Sequence, residues 1–324
     1  MQGWSADSKF MIECATKAPS GHNTQPWLFA VRPGEISIRP DFEKSLPIVD
    51  PDYRELFISL GCAAENLCLA ASERQYLAET EISGNGKILI RLNPSQNISP
   101  HPLFASIAQR QTNRRVYSGE KIPETLLDDI LKEFAQEKSC FIYAWPRGSQ
   151  AFDSITQYVM EGNAAQMSDA AFKAELLAWV RFNRKHAERT GDGLSYAALG
   201  APGLPAWLAG PIVQAALNGK KQNASDLRKI RSSSHFALLA SRENTVAAWI
   251  QTGRVLQRFL LHLTRAGIAH AYLNPPCEIP ALARKLRAKW LADAEFAQIL
   301  LRIGYGKPLP YALRKPLPSV ISDF

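Results

Sequence analysis

The stretch Ala18-Pro19-Ser20-Gly21-His22-Asn23-Thr24-Gln25-Pro26-Trp27 limits most sharply what this chain can fold into. Pro19 and Pro26 each disfavour right-handed helical geometry at the residue before them, and neither donates a backbone hydrogen bond. A helix arriving from the N-terminal side therefore stops before Ala18. Residues 19–25 then run extended or turned, with their amides and short polar side chains available to a ligand. Pro, Ser, Gly and Asn also build ordinary connections, so the rest of the chain must decide between the two.

At 324 residues the chain is long enough for one or two domains with a substantial core. No run approaches the roughly 18 to 20 apolar residues of a membrane-spanning helix, so no membrane partner is expected. The N-terminus lacks the basic segment and apolar core of an export signal. The expectation is a cytoplasmic protein, or a periplasmic one if a signal has been removed. The five cysteines are widely spaced without a Cys-x-x-Cys, and the six histidines form no His-x-x-x-His pair. Neither a disulfide framework nor a metal site is expected, and His262 and His270 read as packed or solvated helix surface. The net charge of +8 gathers at Lys220-Lys221, Arg228-Lys229-Ile230-Arg231 and the run Arg284 to Lys289. At helical spacing these are solvated faces, and with no nucleic-acid module beside them no nucleic-acid partner is expected.

Residues 58–69 align with residues 250–261 at a constant offset of 192. Apolar and small residues recur three and four apart in both: Tyr53, Phe57, Leu60, Ala64, Leu67 and Ala71 in one, Trp249, Thr252, Leu256, Phe259 and Leu263 in the other. Each pattern predicts a helix burying one stripe. Gly61 and Gly253 fall at matched places, and a glycine inside a helix costs about 1 kcal/mol unless close packing uses it. The pattern points to internal repetition.

Three further segments carry candidate chemistry. Arg110-Gln111-Thr112-Asn113-Arg114-Arg115 offers convergent basic side chains, and arginine's planar fork suits a phosphate dianion. Gly267 to Tyr272 reads as a strand that enters Leu273-Asn274-Pro275-Pro276 and a new helix. Leu300 to Gly304 reads as a strand, followed by the basic tail Arg314-Lys315-Pro316. Ser83-Gly84-Asn85-Gly86-Lys87 is similar to a phosphate loop in composition, but its spacing is wrong and it reads as a hairpin turn. No carboxylate pair stands out for acid–base work.

The residue 18–27 stretch resembles the Ala-Pro-Ser-x-x-Asn-x-Gln-Pro-Trp signature of the flavin-dependent nitroreductase family, matching at Ala18, Pro19, Ser20, Asn23, Gln25, Pro26 and Trp27. Arg110, Thr112 and Arg114 resemble the family's Arg-x-Ser/Thr-x-Arg segment. The resemblance implies an α+β nitroreductase-like fold and an FMN cofactor lying where two halves meet. It implies phosphate binding by Arg110, Arg114 and Arg314, with Lys315 second to Arg314 and Thr112 hydrogen-bonding nearby. Pro19, Ser20, Gly21 and Asn23 would line the ring or ribityl chain, and Leu273 and Asn274 would place backbone N–H groups beside flavin N5. NAD(P)H and a small aromatic acceptor would be the partners, with the chemistry on the flavin and no catalytic side chain needed.

The two copies are damaged in complementary ways. The first keeps the Pro19-to-Asn23 loop but has no arginine near its start, whereas the second keeps Arg110, Thr112 and Arg114 but lacks a second loop. That resembles the branch in which one chain, a tandem duplication, imitates a nitroreductase dimer as a monomer, or as the subunit of a homodimer. Residues 1–100 would be the first half and 101–324 the second, with a lid-like insertion at about 160–223 rich in glycine and proline. A lid that stays shut leads to the alternative, a non-catalytic FMN-storage protein.

Overall fold

The computed structural model describes residues 5–200, 203, 205 and 217–322. The chain divides into two compact units that are not continuous in sequence. Unit 1 comprises Met1–Arg110, Thr245–Arg265 and Arg314–Phe324, and unit 2 comprises Gln111–Asn244 and Ala266–Leu313. Mixed helix and antiparallel sheet in both units give the expected α+β class.

Unit 1 is built around the crossing of two long helices, Arg54–Glu73 and Val246–Arg265. The first begins where the Asp50 carboxylate accepts from Glu55 N at 3.0 Å and Leu56 N at 2.9 Å, satisfying two amides that a helix start leaves without partners. Fifteen of its 20 residues are buried, so it is enclosed on nearly every face instead of burying the single expected stripe. Tyr53, assigned to that stripe, precedes the helix in left-handed geometry and is exposed. By length and composition alone this helix could cross a membrane, contrary to the expectation that no segment could, and in the fold it forms the core of unit 1.

Gly61 and Gly253 make the crossing possible. A Cβ on Gly61 would drive into the Ile250 carbonyl oxygen, and one on Gly253 into the Ile58 carbonyl oxygen. The contacts are reciprocal, each glycine facing the residue three positions before the other. Polar groups fix the register beside them. Cys62 Sγ donates to Gly253 O at 3.1 Å, Gln257 Nε2 donates to Asn66 Oδ1 at 2.7 Å, and Asn66 Nδ2 donates to Cys14 O at 3.0 Å. Arg254 and Arg258 both pair with the buried Glu65 carboxylate.

The sheet of unit 1 contains β1 (Trp27–Arg32), β2 (Glu35–Pro40), β3 (Tyr76–Ile82) and β4 (Ile88–Pro94), antiparallel in the order β1-β2-β4-β3. Trp27, Phe29, Ile36, Ile38, Ile88 and Ile90 are fully buried, which sends the period-2 apolar residues of β2 and β4 to one face. Residues 83–87 form the β3–β4 turn, with Ser83 N donating to Lys87 O at 2.9 Å, as the spacing suggests.

Unit 2 contains β5 (Cys140–Pro146), the two-residue pair β6 (Val180–Arg181) and β7 (Leu194–Ser195), then β8 (His235–Ser241), β9 (Ala269–Tyr272) and β10 (Phe296–Gly304). Its main sheet runs β5-β8-β10-β9, all antiparallel. Set out in chain order, both sheets place their strands first, second, fourth, third, with a long helix between second and third. The helix Gln150–Ser168 packs Phe152, Ile155 and Val159 against Phe236, Leu238 and Leu300 of the sheet. His270 is buried in β9 and does not lie on a helix surface. Within the expected insertion the described residues form the helices Ala170–Trp179 and Arg184–Thr190. The Arg181 guanidinium closes that region on the Asp192 carboxylate at 2.7 Å. Pro202, Trp207, Leu208, Gly210 and Pro211, singled out as parts of a lid, lie outside the described residues.

Candidate functional site

The helix Ala6–Ala15, capped where Ser5 Oγ accepts from Ser8 N at 3.0 Å, ends two residues short of Ala18 as the prolines require. The loop beyond it is extended at Ser20 and turned after it. Ser20 is extended at φ −150°, a single 3-10 turn covers Gly21–Asn23, and His22, Asn23 and Gln25 all have positive φ, at 47°, 58° and 54°. Proline disfavours the right-handed helical region for the residue before it, and Gln25 takes left-handed geometry, within the extended-or-turned backbone expected. Such backbone costs on the order of 1–3 kcal/mol per residue, with asparagine at the low end.

Hydrogen bonds within the loop hold this shape. Gln25 N donates to Ser20 Oγ at 3.0 Å, Asn23 N to Ser20 O at 3.0 Å and Thr24 N to Gly21 O at 2.9 Å. Three amides expected to face a ligand are therefore engaged internally. The N–H groups of Ser20 and Gly21 have no acceptor among the described residues.

The basic tail converges on the same loop. Arg314 Nε donates to Thr16 O at 2.7 Å, Nη1 to Asn23 Oδ1 at 2.9 Å, and Nη2 to Lys17 O at 3.2 Å and Ala18 O at 3.3 Å. Lys315 N donates to Gln25 Oε1 at 2.9 Å and its Nζ to Thr24 O at 3.0 Å. Arg110, buried, donates from Nη2 to the same Lys17 carbonyl at 2.9 Å. Burial pushes the Arg314 guanidinium down to about 9, and the neighbouring Arg110 charge pushes the same way. Unit 1 thus gathers Pro19, Ser20, Gly21, Asn23, Arg110, Arg314 and Lys315 around one loop, with two guanidinium groups on one carbonyl oxygen.

The remaining assigned residues belong to unit 2, and the basic cluster of residues 110–115 is divided accordingly. Arg110 belongs to unit 1, Arg114 to unit 2, and Arg115 is exposed. Thr112 bridges to His270 of β9, and Asn113 N donates to His270 O at 2.8 Å. Burial pushes the Arg114 guanidinium down, Tyr272 opposes that, and Arg302 adds to it. Leu273 does not fit its assignment as a donor to a ligand, because its N–H donates to Leu300 O at 2.9 Å within the sheet. Asn274 Oδ1 accepts from Leu300 N at 3.0 Å, and its carbonyl accepts from Cys277 N at 2.7 Å and Glu278 N at 3.1 Å, starting the helix Pro275–Glu278.

Arg302 organises this part of unit 2, and the sequence reading passed over it. It is 1% exposed, donates to Arg115 O at 2.8 Å and Asn113 O at 3.1 Å, and lies 4.0 Å over the Tyr117 ring. Burial pushes the Tyr117 hydroxyl up, against the opposing charges of Arg302 and Arg114. The available signal was an arginine inside the apolar run of residues 299–303, since a buried cation needs acceptors waiting for it.

No family model matches the chain. Two proteins of Mycobacterium tuberculosis match nearly all of it. One, provisionally named NAD(P)H nitroreductase Rv3131, is 26% identical over 327 residues, 96% of this chain and 90% of its own. The other, provisionally named NAD(P)H nitroreductase acg, is 23% identical over 334 residues, 96% of this chain and 94% of its own. Among solved structures, the FMN-dependent nitroreductase NfnB from Mycobacterium smegmatis in complex with NADPH covers 62% of this chain and 86% of its own, at a TM-score of 0.41 and 17% identity. The FMN and NADPH-dependent nitroreductase NfnB from Sphigopyxis sp. strain HMH covers 69% and 99%, at a TM-score of 0.42 and 15% identity.

Proposed function

We propose that this chain is a nitroreductase-like NAD(P)H oxidoreductase that binds FMN at the residue 19–25 loop and reduces a small aromatic acceptor, a nitroaromatic or a quinone. One observation carries the reading: a strained, internally braced loop presents the uncommitted amides of Ser20 and Gly21, while the guanidinium groups of Arg110 and Arg314 sit on the carbonyl of Lys17 that leads into it. These residues fit an anionic cofactor. Two neighbouring cations, Arg110 buried and Arg314 half-buried, favour a phosphate dianion nearby, and a charge-assisted bond to it is worth about 1.5–3 kcal/mol. The amides offer donors to the ring or ribityl oxygens. Bound FMN would supply the redox chemistry, accepting hydride from NAD(P)H. The protein's part is to bind and orient, and no side chain of the loop is required as an acid or base.

The reading includes a single flavin site per chain, made by two fused nitroreductase-like halves. Two features support it. The sheets of the two units share one strand order, and along the chain a long helix falls between the second and third strands of each, both helices lying in unit 1. At the helix crossing, Gly61 meets Ile250 as Gly253 meets Ile58, at the 192-residue offset seen in the sequence.

The test is the visible absorbance of the purified protein, followed by anaerobic addition of NADH or NADPH. Flavin bands that bleach on addition support the enzyme. Bands that persist support the storage alternative, and a colourless protein without affinity for FMN contradicts both.

A further inference from the structure

The tail residues 314–322 do more than bring charge to the loop. From Arg314 and Lys315, six hydrogen bonds reach the ends of the segment 16–25: the carbonyls of Thr16, Lys17, Ala18 and Thr24, and the side-chain oxygens of Asn23 and Gln25. Four of these bonds come from the Arg314 guanidinium. Beyond them the tail is anchored along β1, where Ile321 bridges to Phe29 and Ser322 N donates to Phe29 O at 2.9 Å, and Arg39 Nη2 of β2 donates to Ser322 Oγ at 3.1 Å. The bonds to Asn23 and Gln25 fall on two of the three left-handed residues. Those backbones relax to ordinary geometry unless the surroundings hold them.

We propose that Arg314, assisted by Lys315, is a positioning residue that clasps residues 16–25 in their strained conformation, acting through the shape of its guanidinium fork on carbonyl oxygens and not as a ligand of the cofactor phosphate. Within unit 1 the phosphate then falls to Arg110, whose Nη2 donates to the Lys17 carbonyl that leads into the loop. The inference rests on the proposed FMN site for its binding arm alone.

Two predictions separate a clasp from a phosphate ligand. First, a clasp affects every flavin that uses the loop, phosphate or none. Arg314→Ala should weaken FMN and riboflavin by the same factor, about tenfold or more, as expected if one strained residue of the loop relaxes. Arg110→Ala should weaken FMN and leave riboflavin nearly unchanged. Second, lysine keeps the charge but cannot span Thr16 O, Ala18 O and Asn23 Oδ1 together. Arg314→Lys should therefore stay close to Arg314→Ala in riboflavin affinity and in the amide exchange of residues 16–25.

The experiment measures FMN and riboflavin dissociation constants by flavin fluorescence on the full chain, with hydrogen exchange on the same samples. Exchange in the helix Val246–Arg265 reports whether each variant is folded. Gln25→Met, which removes the acceptor for Lys315 N together with the Nε2 donor to Asn23 O, serves as a milder second variant and should raise loop exchange without touching any arginine. A loss confined to FMN, or recovery with lysine, overturns the clasp. Unchanged loop exchange in Arg314→Ala also overturns it and leaves the flavin assignment standing. A chain that binds neither flavin but shows the predicted exchange refutes the function and leaves the clasp.

Discussion

Replacing Gly61 by alanine tests the helix crossing by the sign of its effect. Helix propensity alone predicts stabilisation of about 1 kcal/mol, because glycine is the poorer helix former. The crossing predicts the opposite. The new methyl would enter the space of the Ile250 carbonyl oxygen and stand 2.9 Å from Gly253 Cα. Both neighbours are backbone, which cannot swing aside as a side chain does, so the helices must separate. Overpacking of this kind costs about 1–3 kcal/mol, and separation also strains the Cys62–Gly253 and Asn66–Gln257 bonds. Combining the upper end of that range with the propensity gain leaves a net loss of about 2 kcal/mol. Gly253→Ala should cost a similar amount, and the double variant less than the sum, since one displacement makes room for both methyl groups. Urea unfolding followed by far-ultraviolet dichroism and tryptophan fluorescence reads the loss as a lower midpoint at unchanged slope. A Gly61→Ala chain as stable as the parent, or more so, would refute the close crossing and the register argued from it.

Arg302→Met should destabilise unit 2 by about 1–3 kcal/mol, because Arg115 O loses its donor while the Tyr117 hydroxyl still serves Asn113 O; thermal unfolding checks this. Burial of His235 in β8 pushes its imidazole below the ordinary value of 6.5. The unfolded chain therefore takes up the proton first, and this histidine's contribution to stability is present above that value and lost as pH falls through the folded-state value. His235→Asn should flatten that part of a stability profile measured by urea unfolding across pH. Arg110→Ala should weaken FMN binding by about 1.5–3 kcal/mol, read as earlier flavin loss on dialysis.

Much of the architecture was legible because it rests on local rules. Pro19 keeps the first helix from running on, the turn residues 83–87 close a hairpin, and the matched glycines 61 and 253 mark a helix contact. The features that stayed hidden depend on partners distant in sequence. Proline rules out one backbone region at Gln25 without choosing between the others, and the contact that accompanies the left-handed choice comes from Lys315, 290 residues later. The enclosure of the helix Arg54–Glu73 was missed because a stripe records only the most apolar neighbours, whereas Ser59, Glu65 and Asn66 are also buried through specific partners. Arg302 was hidden inside an apolar strand. Leu273 reads as a ligand donor in the sequence, but β10 takes its amide. The chemistry-bearing residues of the loop were legible by type, while the division of labour between Arg110 and Arg314 became visible only through their hydrogen bonds.

The most direct measurement is the stoichiometry of FMN bound by flavin-depleted full-length chain, titrated to saturation against a known protein concentration. One equivalent per chain is the predicted result, reduced in affinity by Arg110→Ala. Two equivalents, or no saturable binding, would contradict a single cofactor site organised by the residue 19–25 loop.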